Sequence, residues 1–557
     1  TQEFGLYSIL GLTKHQLRQI VLFENGLFYI IGTVIGGTAG VLFSKLAFMG
    51  LKILLGTTGL HQHFTLAPTM YVVLIFVIIF LLIILSDFWK LRKVNPINLW
   101  TKSEQPEKEP KAHLLLTVLG IGILAGGYYI SVTVKPTIAA FVQFIIAIIL
   151  VVIGSYLVFI TASVSLLKTL KKNKHYYYKP NHFISVSNLL YRMKLNGAGL
   201  ASISLLCSAI LVALIGSISL VAGQKNLIDL FSPRDVQIVA QAPLSAAEKQ
   251  AIHKTAHDYH ITISNPQNVK VTTPVMGALS GNQFKTQMNT KTEYTLASLD
   301  LKQYNQLQGT HYQLNKDEVL IYTPGSHYSQ KQLKIQGKSY QVRTVNSFNG
   351  SFSYGHSIYK SIFVIAANSK IAKQINPHPN VYAQGFNTHG TKNHQKQFAN
   401  TVQGKLKVDP SNFTSKEVLG DLFKSLFGSL LFMGTLISIV MICATTMIIY
   451  YKQVSEGYAD RSNYQIMSKV GLSRKETNHA IKSQVLTVFL LPIVGAVINL
   501  IFALPGIKSV LSNFSMYDLN ILIIVSILVT GVLMVSYLII YLATTTVYRH
   551  IVNQGMI

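Results

Sequence analysis

The stretch closest to a phosphate-binding loop is Gly337-Lys338-Ser339. Such a loop needs another glycine five residues before Gly337, so that successive backbone amides can cradle a phosphate. Gln332 stands there between strand-like flanks, so a hairpin turn is the expected structure. His61-Gln-His63 and the scattered His378, His389 and His394 could ligate an ion. They lack the paired spacing of a zinc or metalloprotease site, however, and are expected to be loop histidines. The serines of the polar central region lie in no Gly-x-Ser-x-Gly nucleophile motif. A proton or sodium relay across a bilayer needs acidic side chains inside the spans. Glu24 is the exception to their absence; its counterpart in a later repeat is the neutral Gln484, which favours an interfacial place for Glu24. The chain is therefore expected to be no enzyme, with no catalytic, metal or cofactor residues of its own.

What the sequence offers instead is a mechanical pattern that occurs twice. Glu3-Phe-Gly-Leu-Tyr-Ser-Ile-Leu-Gly-Leu-Thr-Lys-His-Gln16 superimposes without a gap on Asn463-Tyr-Gln-Ile-Met-Ser-Lys-Val-Gly-Leu-Ser-Arg-Lys-Glu476. Phe4, Tyr7 and Leu10, and in the second copy Tyr464, Met467 and Val470, recur every third residue and share one side of a short helix. Gly11 and Gly471 fall where a left-handed residue would end that helix, a backbone open to glycine at no steric cost. Leu12 and Leu472 follow, and then Thr13 and Ser473 stand three residues ahead of Gln16 and Glu476. That spacing forms a reciprocal capping box at the start of a new helix. Each copy predicts a helix, a glycine elbow and a second helix entering a membrane.

Elements that would hold two such elbows are legible in the composition. Half of the 557 residues are apolar and 12% are charged, against about 25% in soluble domains. The net charge is +27, and many of the Lys and Arg cluster beside apolar runs, which favours membrane topology and anionic lipid over nucleic acid as the expected partner. Two cysteines, Cys207 and Cys443, lie inside apolar runs and build no disulfide framework. Eight stretches are long enough to span: about 20–43, 70–85, 114–132, 138–167, 200–222, 422–450, 485–504 and 519–547. Gly32, Gly36, Gly37 and Gly40 give the first a small-residue face suited to close helix packing. Residues 45–68 are expected as an outer segment. Residues 189–197 are expected as a separate amphipathic helix on the inner surface.

Between the fifth and sixth spans the apolar pattern stops. Residues 235–240, 260–264 and 361–365 read as strands, 333–342 as a hairpin turning near Gly337, and Ser245-Ala-Ala-Glu248 as a capping box opening a helix. The fold class expected is an α-helical polytopic membrane protein of eight spans with one α+β domain. The expected divisions are 1–88, a first half repeat; 89–113, a cytoplasmic linker; 114–222, three further spans with a basic loop and the amphipathic helix; 223–421, the α+β domain; and 422–557, a second half repeat. Counting alternations from a cytoplasmic start puts both elbows and the basic loops inside and the α+β domain outside, as the positive-inside rule requires of short loops.

The two elbow copies, together with Arg192-Met-Lys-Leu-Asn-Gly-Ala-Gly-Leu-Ala-Ser-Ile-Ser204, resemble the FtsX-like permeases of ABC transporters, and more narrowly the BceB-type bacitracin-resistance permeases of Gram-positive bacteria. Those permeases have ten spans, so the resemblance implies an N-terminally incomplete chain. It further implies a plasma-membrane subunit served by a cytoplasmic ABC ATPase dimer, which binds the ATP, one copy under each elbow. Phe4 to Leu12 and Tyr464 to Leu472 would be the coupling helices. Antimicrobial peptides, the lipid-linked cell-wall intermediates they grip, and a sensor histidine kinase are the other partners implied. A kinase-activating signalling scaffold is an alternative reading. A MacB-like permease for lipoprotein handling is another, disfavoured because such chains carry four spans.

Overall fold

The computed structural model describes Tyr7 and residues 11–55, 66–92, 114–135, 139–172, 180–286, 294–324, 327–350, 360–469, 474–514 and 518–553. The chain divides into two compact units, residues 1–110 and 111–557. Eight helices among the described residues are long and apolar enough to cross a membrane.

The first unit is a helical hairpin of α1 (Lys14–Leu55) and α2 (Leu66–Arg92). Near the α1 start the two helices touch. Tyr29 stacks on Phe80 with centroids 4.9 Å apart, Gly26 faces Phe80, Arg18 lies over Phe88, and the Asn25 amide donates to Asp87 at 3.5 Å. Farther along they diverge: Gly32, Gly36, Gly37 and Gly40 face a cavity of about 540 Å³ across from Val72, Val73 and Phe76. The small-residue face thus borders a groove on α2's side. Residues 45–55, the first part of the stretch expected as an outer segment, continue α1. A helix satisfies its own backbone groups beyond the bilayer edge as well as within it, and hydropathy does not register that extension. Glu24 is exposed on α1.

The second unit opens with the hairpin of α3 (Leu114–Thr133) and α4 (Ala140–Leu157). Glycines set their separation: a Cβ on Gly154 would lie 2.7 Å from the Leu124 backbone nitrogen. A π-helical turn, Val158–Ala162, interrupts what hydropathy reads as one span, before α5 (Ser163–Lys172). Then α6 (Pro180–Ala222) runs unbroken, so the separate surface helix expected at 189–197 is part of the fifth span's own helix. Gly197 does not break it. A Cβ there would stand 3.0 Å from the Phe159 carbonyl and Ile160 Cα, so this glycine permits a close crossing over the π turn.

α6 leads through α7 (Gln224–Phe231) into the α+β domain, whose elements follow as β1 (Val236–Ala240), α8 (Ala246–Asp258), β2 (Thr262–Thr272), β3 (Val275–Ser280), β4 (Gln283–Thr286), β5 (Tyr294–Asp300), α9 (Leu301–Gln308), β6 (Glu318–Tyr322), β7 (Gln332–Ile335), β8 (Lys338–Thr344), β9 (Lys360–Ala366), α10 (Ser369–Ile375), β10 (Asn380–His389), α11 (Lys392–Leu406) and β11 (Phe413–Ser415). The chain re-enters the bundle as α12 (Lys416–Lys469), α13 (Arg474–Ser512) and α14 (Leu519–Asn553).

Two sheets build the domain: an antiparallel one in the order β11-β1-β10-β2, and a closed barrel in the order β3-β4-β7-β8-β6-β9-β5. Alternation along β1 aims Val236 and Ile238 at α8 and α11, with Phe398 among them, and Val239 at the other face. Strand β9 is buried on both faces. Ile362 and Val364 join the core with Leu333 and Tyr340, while Phe363 and Ile365 pack with Val269, Val271 and Val381 of the first sheet. That two-sided burial explains its unbroken Ile-Phe-Val-Ile run. The capping box at Ser245 and Glu248 forms as its spacing predicts, and the β7–β8 hairpin turns through Gln336 and Gly337, both at positive φ. Gly337 therefore closes a tight hairpin turn, and Lys338 and Ser339 open strand β8.

In the bundle, α6 packs with α12, α13 and α14 around Leu211, Ile215, Phe427, Ala496 and Val529. The Tyr128 hydroxyl of α3 donates to Asn499 of α13 at 2.5 Å, and the Asn499 amide donates to Ser208 of α6 at 3.0 Å.

Candidate functional site

The first elbow has the geometry its residues dictate. Tyr7 is helical; Gly11 sits at φ +97°; and the Leu12 N–H donates to the Tyr7 carbonyl at 3.0 Å. That bond, closed around a left-handed glycine, is the Schellman ending of a helix. The restart follows at once. The Thr13 N–H donates to Gln16 Oε1 at 2.8 Å, the Gln16 N–H donates to Thr13 Oγ1 at 3.4 Å, and α1 begins at Lys14. Tyr7, Gly11 and the Thr13 to Gln16 turn are exposed and Leu12 is half-buried. Phe4 and Leu10 lie outside the described residues.

For the second elbow the backbone is described on either side. α12 is described to Lys469 and α13 from Arg474, and the capping residue expected at Ser473 lies outside the described residues. Tyr464 and Met467 lie on the last turns of α12. Val470, Gly471 and Leu472 lie outside the described residues, as does the His61-Gln-His63 motif.

The stem of this elbow is α12 itself, 54 residues in one helix, about 80 Å at 1.5 Å per residue. Its first residue follows strand β11 directly, and β11 pairs with β1, Val236 opposite Ser415. Charge and aromatic contacts fasten that end to the α+β domain and to α7. The Lys416 ammonium lies 3.0 Å from Asp229 and 3.7 Å from Asp235, and the Lys416 N–H donates to the Asp235 carbonyl at 2.9 Å. Asp235 also accepts from the Thr388 N–H of β10 at 2.8 Å. Gln224 of α7 donates to the Gly420 carbonyl at 3.1 Å, the Phe231 and Phe423 rings stand 5.9 Å apart, and Lys396 of α11 pairs with Asp421. One continuous helix therefore runs from the sheet of the α+β domain to Lys469, at the edge of the second elbow. Sequence reasoning missed this junction. Its only trace there is a few acidic residues and one lysine at the two ends of the polar region.

Among the described residues no group of three or more His, Cys, Asp or Glu could hold a metal ion. His389 bonds Ser264 at 3.0 Å, and the His394 N–H donates to the cap residue Thr391. Cys207 and Cys443 are free thiols.

The family profile described as FtsX-like permease C-terminal matches residues 1–96, which contain the first elbow and both helices of the first unit. The chain is 34% identical over 214 residues to the uncharacterized ABC transporter permease YvcS of Bacillus subtilis, a match covering 38% of this chain and about a third of that one. It is 24% identical over 517 residues to the ABC transporter permease protein YxdM of the same organism, covering 90% of this chain and 80% of YxdM. With the bacitracin export permease protein BceB of B. subtilis the identity is 23% over 550 residues, covering 91% of this chain and 80% of BceB. The chain is thus a multi-pass membrane relative of ABC transporter permeases, with an FtsX-like permease domain at its start.

Proposed function

We propose that this permease-type chain couples ATP hydrolysis by a cytoplasmic partner to displacement of its α+β domain on the outer face of the membrane, and so detaches antimicrobial peptides such as bacitracin from lipid-linked cell-wall precursors. The observation that carries the reading is α12, one unbroken helix of about 80 Å from strand β11 to the second elbow. A bilayer with its head groups is about 40–45 Å thick. The helix is therefore long enough to cross it and still project on both sides, and it is helical throughout its described length. In this reading each elbow seats one protomer of an ATPase dimer, through Phe4, Tyr7, Leu10, Gly11 and Leu12 in one copy and Tyr464, Met467, Val470, Gly471 and Leu472 in the other. ATP-driven closure of the dimer shifts the elbows, and α12 carries the shift to the domain. The similarity to BceB over most of both chains supports bacitracin-like peptides as the substrate class.

The test is a bacterium that depends on this chain and its partner ATPase for peptide resistance. Replacing the partner's catalytic base, so that ATP binds without being hydrolysed, is expected to abolish resistance while the complex still assembles. Full resistance with that ATPase would overturn the reading.

A further inference from the structure

The inner ends of α12 and α14 meet along a seam that none of the coupling described so far uses. On α12 the residues at the seam are Gln453, Gly457 and Asp460, spaced i, i+4, i+7 and so on one face. On α14 they are Thr545, Tyr548 and Val552, spaced i, i+3, i+7. Gln453 is 2% exposed, and Tyr548 and Val552 are fully buried. Gly457 sets the approach: a Cβ there would touch the Tyr548 ring and the Ile551 side chain at 3.4 Å. Across the seam the Tyr548 hydroxyl donates to the Asp460 carboxylate. A bond to a charged acceptor is stronger than one between neutral groups.

We propose that Tyr548 and Asp460 are positioning residues that clamp the stem of the second elbow to α14, so that a displacement of the elbow moves two helices instead of bending one. This rests on the coupling role assigned above. From Asp460 to Lys469 is nine residues, about 14 Å of helix. Without the clamp, the nearest contact of α12 with α14 would lie farther from the elbow, at Gly457. A helix held farther from its end bends more readily, and an elbow stroke would be lost in local bending. With the clamp, α12 is held to α14 within two to three turns of Lys469.

The test has two arms. In the first, amide hydrogen exchange is followed over residues 461–469 in the purified chain, in the wild type, Tyr548→Phe and Asp460→Leu. Tyr548→Phe removes one oxygen and keeps the ring in its packed place. The clamp predicts exchange about tenfold faster in both variants, as expected for losing a bond to a charged group, with the exchange of residues 203–215 in the bundle core unchanged. Wild-type exchange in Tyr548→Phe would overturn it, and faster exchange throughout the core would assign Tyr548 to general folding instead. In the second arm, resistance and ATP hydrolysis are measured for the complex with its ATPase. Tyr548→Phe and Asp460→Leu are expected to hydrolyse ATP at the wild-type rate and lose about tenfold in resistance. Asp460→Asn, which keeps a carbonyl acceptor, is expected to restore most of it, and the double variant Tyr548→Phe/Asp460→Leu to be no worse than either single change. Full resistance in Tyr548→Phe would overturn the clamp. A wild-type complex whose resistance is independent of ATP would instead sink the coupling role, and the exchange arm would still decide whether the clamp exists.

Discussion

Replacing Gly11 tests the elbow at a position where the structure isolates a single physical effect. Gly11 holds φ +97°, and a Cβ built there meets nothing within 4 Å. The cost of a side chain is therefore backbone strain alone. For an ordinary L residue that strain is about 1–2 kcal/mol, more for a β-branched one and less for asparagine, which tolerates positive φ. What holds the elbow is of the same size: a capping box at Thr13 and Gln16 that contributes about 1 kcal/mol, and one exposed backbone bond from Leu12 to Tyr7. Gly11→Val should thus consume most of the local stability. At 1.4 kcal/mol per factor of ten, the population of correctly bent elbows should fall about tenfold or more, whereas Gly11→Asn should stay near wild type. The assay is co-purification of the partner ATPase with each variant, alongside resistance, at matched membrane expression. Docking should be lost in the order Val, Ala, Asn. Equal behaviour of Val and Gly would refute the left-handed elbow, and equal impairment by Asn and Val would show that bulk at a contact, not backbone conformation, is what matters.

Gly154→Val should destabilise the α3–α4 hairpin by about 1–3 kcal/mol, because the new Cβ lands within 2.8 Å of Leu124 backbone atoms that cannot turn aside. Gly122→Ala, which meets nothing, is the control, and thermal unfolding in detergent reads both. Lys416→Met should loosen the domain junction by about 1 kcal/mol or less, since Asp229 is half exposed and can rehydrate; protease nicking between α7 and α12 should rise, and unchanged nicking would argue that the pairs contribute nothing. Burial pushes the Tyr328 hydroxyl up to about 12 while it donates to the Gln332 carbonyl at 2.8 Å. The folded state thus favours the neutral phenol. The stability this provides is complete below the usual tyrosine value near 10 and is lost as pH rises from there toward about 12. Tyr328→Phe should flatten the alkaline limb of the stability curve and remove one late-titrating tyrosine from a difference-absorbance titration.

What sequence revealed and what it concealed divide by range. The elbow, the box at Ser245 and the turn at Gly337 each depend on residues within five positions of one another, so their chemistry is written locally. The apolar cores of the spans were equally plain. Their ends were not: residues 180–197 and 451–469 are helical but carry no long hydrophobic run, because a helix continues through its own backbone hydrogen bonds whatever its side chains. The barrel escaped altogether. Its closure needs β5 beside β9 in parallel and β4 beside β7, pairings between segments with long stretches of chain between them and no sequence signal of partnership. The same holds for Lys416 with Asp229 and for Tyr548 with Asp460, whose partners approach only once α12 has been built in one piece.

The central claim is that α12 moves as a rod between elbow and domain. Pulsed electron resonance on labels at Lys392, exposed on the α+β domain, and Tyr458, exposed on the inner part of α12, measures that directly, with a third label on the partner ATPase. Between the nucleotide-free and ATP-trapped complexes, the distance from 392 to 458 should stay constant while the distance from each to the ATPase changes. A constant distance from 392 to the ATPase, or a 392-to-458 distance that alters on ATP binding, would contradict the account.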